Sequence, residues 1–194
     1  PVDLRYGPRG AMYVCDWYNP IKGHAQYSLR DERRDRKSGR IWRIIPKGAT
    51  LQDPPKIAGA SISKLLEILK RPEYRYRYWA KRELRDRDFA SVKKALDRWV
   101  SKLDASNPRH RHHQLEAIWL YRGIDAVNAN LLKELLDSDN HLARAAGTRQ
   151  LRYWSDHFED GADMLLERAS DDNGLVRMEA AIAASYVGTP EALG

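Results

Sequence analysis

The feature of this sequence that most constrains its fold is a pattern that recurs in its C-terminal two thirds. Each copy has a leucine pair, a polar turn, and then an arginine and a helix rich in small residues. The leucine pairs stand at 65–66, 131–132 and 165–166, and the arginines are Arg77, Arg144 and Arg177. A weaker copy places His113 at the arginine position, so the four positions are spaced by 36, 31 and 33 residues. A fixed period of this length is typical of repeat proteins built from helix pairs.

This pattern resembles HEAT-type helical repeats, whose helix pairs bury their apolar sides by stacking on neighbouring pairs. Small residues such as Ala145, Ala146 and Ala180 stand where two helices must approach closely. Ser61 or Ser63 is predicted to cap the first helix. Another apolar stripe at helical spacing is Phe89, Val92, Leu96, Trp99, Val100 and Leu103. The sequence therefore predicts a HEAT-like α-solenoid over residues 61–194, with a generic helical bundle as the alternative.

The first 46 residues differ from the rest. Residues 11–16 and 40–45 are rich in β-forming side chains and predict two strands, the second ending at Pro46. Two strands alone are marginal in water, so this segment is expected to belong to a larger sheet and to be poorly ordered or self-associating in isolation. Residues 47–60 contain Pro54 and Pro55 and predict a linker. The predicted class is thus mainly α, preceded by a short β segment.

The order of these segments, and two of their motifs, carry a family resemblance. Asp-Trp-Tyr-Asn at 16–19 and Gly-Arg-Ile-Trp-Arg-Ile at 39–44 are similar to a late β-propeller blade. Together with residues 112–119 and 145–154, they resemble the PVC-type (planctomycete and verrucomicrobial) membrane-bound dehydrogenases and haem-binding proteins. In that family a propeller akin to glucose and sorbosone dehydrogenases precedes HEAT-like repeats.

The resemblance implies a periplasmic or extracytoplasmic location and a parent protein that uses quinone, calcium and c-type haem. It implies a partial last blade at residues 1–46 and repeats that act as a spacer and protein-docking scaffold. The expected partners are another protein or neighbouring domains of the parent chain. Only about one blade and no Cys-x-x-Cys-His run are present, so no cofactor, catalytic residue or complete active site is predicted in this chain. Whether the parent is an enzyme stays open.

The loop between the two predicted strands holds the candidate cofactor-binding residues. Asp16 and Asn19 offer oxygen ligands, which calcium prefers. His24 could act as a base or ligand, and Arg30 and Arg34 could clamp an anionic cofactor. The alternative is that the charged side chains of the loop pair with each other and its aromatic side chains pack against a neighbouring blade.

The charge pattern leads to a second functional hypothesis. Residues 1–112 have 27 Lys and Arg against 13 Asp and Glu, whereas residues 113–194 have 7 against 14. Basic and aromatic residues alternate around Trp79, so residues 70–112 could bind nucleic acid. Interspersed acids and a predicted core position for Trp79 argue against it, so nucleic acid is an unlikely partner. The histidines of 110–113 lack a third ligand at metal-binding spacing, and no metal site is predicted.

Overall fold

The computed structural model describes residues 3–7, 9–19 and 30–187 of the 194-residue chain. Two compact units are present, Pro1–Lys56 and Ile57–Gly194. The described part of the first contains a small antiparallel sheet, and that of the second contains α-helices. The prediction of a mainly α protein with a short β segment is confirmed.

The sheet has three strands in the described residues: β1 (Asp3–Tyr6), β2 (Met12–Asp16) and β3 (Arg40–Ile44), in that order across the sheet. Strands β2 and β3 are the two that the sequence predicted. Strand β1 was missed because four residues with two apolar side chains give too short an alternation to stand out. In the register, Val14 lies opposite Leu4 on one side and Trp42 on the other.

Eight α-helices lie in the described residues, with one 3₁₀ turn at Ser155–His157. They are α1 (Ile62–Ile68), α2 (Tyr74–Arg85), α3 (Phe89–Val100), α4 (His110–Gly123), α5 (Ala129–Leu136), α6 (His141–Trp154), α7 (Gly161–Ala169) and α8 (Gly174–Ala184). None of them is long and apolar enough to cross a membrane.

Polar side chains fix where several of these helices begin. The Ser61 side chain accepts a hydrogen bond from the Lys64 backbone N–H at 3.4 Å, which confirms one of the two predicted caps. Asn128, Asn140 and Asn173 cap α5, α6 and α8 in the same way. Each cap satisfies a backbone donor that has no partner within its own helix.

The helices pack as four successive pairs around one core. Within the pairs, α1 contacts α2, α3 contacts α4, α5 contacts α6, and α7 contacts α8. The second helices also stack in chain order, α2 on α4, α4 on α6 and α6 on α8. The core includes most of the predicted leucines, of which Leu65, Leu66 and Leu132 are almost fully buried, but Leu166 is 46% exposed. Phe89, predicted on the buried stripe, is instead half exposed at the first position of α3.

The recurring arginine has the same role in three of the pairs. Arg77, Arg144 and Arg177 are each the fourth residue of their helix. Each donates from Nη1 to the two backbone carbonyls five and six residues earlier, in the turn between the paired helices. The distances are 2.5 and 2.8 Å for Arg77, 3.3 and 3.0 Å for Arg144, and 2.9 and 2.8 Å for Arg177. These bonds satisfy carbonyls around the end of the first helix and so fix the turn.

Buried ion pairs connect successive repeats. Glu116 of α4 is 1% exposed and accepts bonds from Arg77 Nε at 2.8 Å and Lys81 Nζ at 2.5 Å, both on α2. Arg144 of α6 donates to the carboxylate of Asp171, in the turn before α8, at 2.8 Å. This contact lowers the pKa of Asp171 well below its ordinary value. The arginine that fixes one turn thus also contacts an acid of the next repeat.

Candidate docking surfaces

In its described residues, the predicted cofactor loop makes hydrogen bonds within itself and with Trp42 of β3. Asp16 accepts bonds from Trp42 Nε1 at 3.1 Å and from the Tyr18 backbone N–H at 3.1 Å. The Trp42 bond is the main reason why the pKa of Asp16 lies below its ordinary value. Asn19 Nδ2 donates to the Asp35 carbonyl at 3.2 Å, so both predicted oxygen-ligand residues take part in shaping the loop.

Two of the other three predicted loop residues lie in the described part of the chain. Arg30 is exposed and Arg34 is partly buried. Between them, Asp31 pairs with Arg33 at 2.8 Å, and this neighbour lowers the pKa of Asp31 to about 2. His24 lies outside the described residues. In the part of the chain that the structure describes, no group of three or more His, Cys, Asp or Glu side chains is placed to hold a metal ion. The cofactor-binding role of these residues stays a prediction.

One side of the sheet presents a continuous apolar surface, here called the sheet face. Paired residues share a side of an antiparallel sheet, so the register forms two rows across the three strands. The rows are Leu4, Val14, Trp42 and Tyr6, Met12, Ile44. The outer members of both rows are 47–64% exposed. Since natural sheets bury a face of this kind against another layer, the sheet face is a candidate contact surface.

A second surface, here called the α2 surface, carries exposed aromatic rings between arginines. Tyr74, Tyr78 and Trp79 are 67, 41 and 41% exposed. The rings of Tyr74 and Tyr78 are stacked with centroids 6.1 Å apart, and the Arg82 guanidinium lies 4.9 Å from the Trp79 ring centre. The prediction that Trp79 lies in the core is therefore wrong. Its exposure follows from α2 already burying Tyr76, Ala80 and Leu84 on the opposite side.

An open groove runs beside the α2 surface, within the helical unit. It is lined by Ile57, Ala58, Trp79, Arg82, Glu83 and Asp86. Glu83 accepts bonds from the Gly59 backbone N–H and from Arg87, and these bonds lower its pKa. The groove thus combines an apolar wall with charges of both signs. Trp, Tyr and Arg are the residues most enriched where proteins bind one another tightly, so this composition suits a protein partner.

The histidines at the start of α4 are largely buried. His113 takes the recurring arginine's position and is 5% exposed. Burial lowers the pKa values of both His112 and His113. His113 Nε2 has no hydrogen-bond partner in the described structure. A neutral imidazole at this position therefore avoids burying an uncompensated charge.

The comparisons with known proteins address the sheet unit alone. Residues 1–48 match the sequence model of a family described as a domain of unknown function (DUF7133). This match lies within the unit that contains the sheet face. No curated protein and no solved structure matches the chain.

Proposed function

We propose that this chain is part of an extracytoplasmic protein similar to sugar dehydrogenases, in which a β-propeller precedes HEAT-like repeats. In this proposal the sheet unit belongs to the last propeller blade. The helical unit is a spacer and a scaffold that binds another protein. The chain carries no reaction of its own, and quinone, calcium and c-type haem belong to other parts of the parent protein.

The observation that carries the proposal is the exposed sheet face. Fully burying a Leu, Ile or aromatic side chain is worth about 1.5–3 kcal/mol, so half-exposed side chains forgo a large part of that stabilisation. Four such side chains stand together: Leu4, Tyr6, Trp42 and Ile44. A neighbouring blade packed on this side supplies the missing apolar contacts, as sheets packed face to face do.

The α2 surface supports the scaffold part of the proposal. Its three exposed rings are held by contacts with each other and with Arg82, so little side-chain entropy is lost when a partner covers them. Among the recurring pairs, α2 is also the helix whose exposed side combines aromatic and cationic side chains most densely. The partner expected here is a protein surface with carboxylates around an apolar centre.

The sheet face is tested by changing its charge in the full chain. Trp42→Lys with Ile44→Lys places two cations on that face, while Ile41→Lys places one cation on the opposite side of the sheet and serves as the control. We expect the wild-type chain to bind an apolar fluorescent dye and to self-associate in light scattering, and the double variant to do both less. If the double variant and the control behave like the wild type, the sheet face is not an unsatisfied packing surface and the blade assignment fails.

The nucleic-acid alternative also rests on the α2 surface, because stacked rings and arginines bind bases and phosphates as well. A fluorescence-anisotropy titration with duplex and single-stranded DNA at 50 and 200 mM salt separates the two functions. Phosphate contacts must weaken steeply with salt. We expect no such binding. Salt-sensitive binding that is lost in Arg75→Glu with Arg82→Glu would replace the scaffold proposal by the alternative.

A further inference from the structure

The last described helix exposes an apolar stripe. Leu175, Met178, Ile182 and Tyr186 are 36, 47, 38 and 66% exposed, and they follow one another at three- and four-residue spacing on and just after α8. The opposite side of α8 is buried through Val176, Glu179, Ala180 and Ala183. Helix α8 therefore has apolar residues on two sides, whereas a helix that ends a repeat array normally has a polar outer side. We call the exposed side the α8 outer face.

In the preceding repeat, the second helix of the pair is α6, and the corresponding side of α6 shows which positions a following repeat covers. With Arg144 aligned to Arg177, Met178 corresponds to Ala145 of α6, and Ala181 corresponds to Thr148. Ala145 is 5% exposed and Thr148 is fully buried, in a helix that packs against α5, α7 and α8. The position of α6 that aligns with Ile182 is Arg149, which pairs with the buried Glu179 of α8 although its own side chain is 55% exposed. The following repeat thus covers the positions of α6 that align with Met178 and Ala181, whereas those that align with Leu175, Ile182 and Tyr186 stay about half exposed.

The recurring arginine points to the same missing neighbour. Arg77 binds Glu116 of the next pair, and Arg144 binds Asp171 of the next turn. Arg177 donates to its own turn carbonyls, and among the described residues no carboxylate pairs with it. In the two repeats whose following pair supplies an acid, the guanidinium fixes its own turn and also contacts the next repeat. Arg177 makes the first of these contacts, and among the described residues it has no partner for the second.

We infer that the α8 outer face binds one further helix pair of the same repeat type, which covers the side of α8 around Met178 and Ala181 and brings a carboxylate to Arg177. This inference rests on the proposed function, because it takes the pair to come from the same parent polypeptide. Two observations support the inference independently of that function. The second helices stack in chain order up to α6 on α8, and the α8 outer face is where the next second helix would stack. Arg177 also has a charge that a carboxylate of the next pair would compensate. The expected pair has an acid in its turn or in the middle of its second helix, the two places where Asp171 and Glu116 lie.

The test compares this chain with the parent protein's helical region extended past residue 194 by its own following residues. Met178→Glu with Ala181→Glu is introduced into both, because the aligned residues Ala145 and Thr148 are buried in α6. In residues 1–194 both positions are exposed, so we expect the urea midpoint to stay within about 0.2 M of the unaltered chain. In the extended chain the same change buries two carboxylates, and we expect the midpoint to fall by about 1 M. Arg177→Gln should likewise lower the midpoint in the extended chain and leave the shorter one nearly unchanged.

Leu142→Glu is the matched control. Leu142 aligns with Leu175 and is 57% exposed although another repeat follows it, so the substitution should have the same small effect in both lengths. Equal effects of the α8 substitutions in both lengths would overturn the inference. The inference would also be overturned if the shorter chain formed a dimer that Met178→Glu converts to a monomer. A second copy of the chain would then cover the α8 outer face. If the sheet unit proves not to be a propeller blade, only the sheet-face experiment fails and the results for α8 are unchanged. The failure of the proposed function and the failure of this inference are therefore distinguishable.

Discussion

Replacing Glu116 by Gln should strongly destabilise the helical unit. The Glu116 carboxylate is 1% exposed and faces Arg77 and Lys81, whose side chains are 9 and 17% exposed. The substitution leaves two largely buried cations without their counter-charge. Removing one partner of a buried ion pair costs about 3–5 kcal/mol, because the remaining charge stays desolvated. With Lys81 partly able to reach water, we expect a loss of about 3 kcal/mol in the free energy of unfolding.

The assay is urea unfolding at pH 7, followed by circular dichroism of the helices. Glu134→Gln is the control, since Glu134 is 53% exposed and pairs with Arg111 at 3.3 Å. An exposed pair of this kind contributes about 0–1 kcal/mol. The double variant Arg77→Leu with Glu116→Leu should lose less than the sum of the single changes, because it leaves one fewer unpaired charge. Equal losses for Glu116→Gln and Glu134→Gln would refute the idea that this buried pair connects the repeats.

Three further predictions follow from single positions. Burial lowers the pKa of His113 below 6.5, so in the native state this side chain binds fewer protons than in the unfolded chain. The free energy of unfolding should therefore fall as the pH decreases below 6.5. His113→Gln should reduce that fall, measured as the difference between urea midpoints at about pH 7.5 and about pH 5. Asn140→Ala removes the α6 cap and should cost about 1 kcal/mol in the same assay, whereas Asn140→Ser should restore most of it. Gly161→Ala places a Cβ 2.0 Å from the Ser155 carbonyl oxygen and should lower the melting temperature, because overpacking costs about 1–3 kcal/mol. A melting temperature equal to that of the wild type would contradict this prediction.

The repeat architecture could be predicted because its signals are local and periodic. Leucine pairs at helical spacing and a cap at Ser61 specify each helix from its own residues. The recurring arginine could be located from sequence, but its acid partner could not. Glu116 lies 39 residues from Arg77, whereas Asp171 lies 27 residues from Arg144. This variable separation carries no periodic signal, and only packing brings the groups together.

The surfaces were harder to predict for a physical reason. Trp79 is large and apolar, which favours burial, but α2 has only one buried side and Tyr76 already occupies it. Which apolar residue is left outside depends on how neighbouring helices pack. The same holds for the loop residue Asn19, whose contact with the Asp35 carbonyl depends on how the chain returns to the sheet.

The most direct test of the proposed propeller and repeat organisation is to read the coding sequence on both sides of this segment. We expect further propeller blades upstream, with strands like those at residues 11–16 and 40–45, and another helix pair downstream. A parent reading frame without additional strands upstream would contradict the assignment of the sheet unit to a propeller. The α2 surface would then have to be explained as the binding site of an independent helical protein.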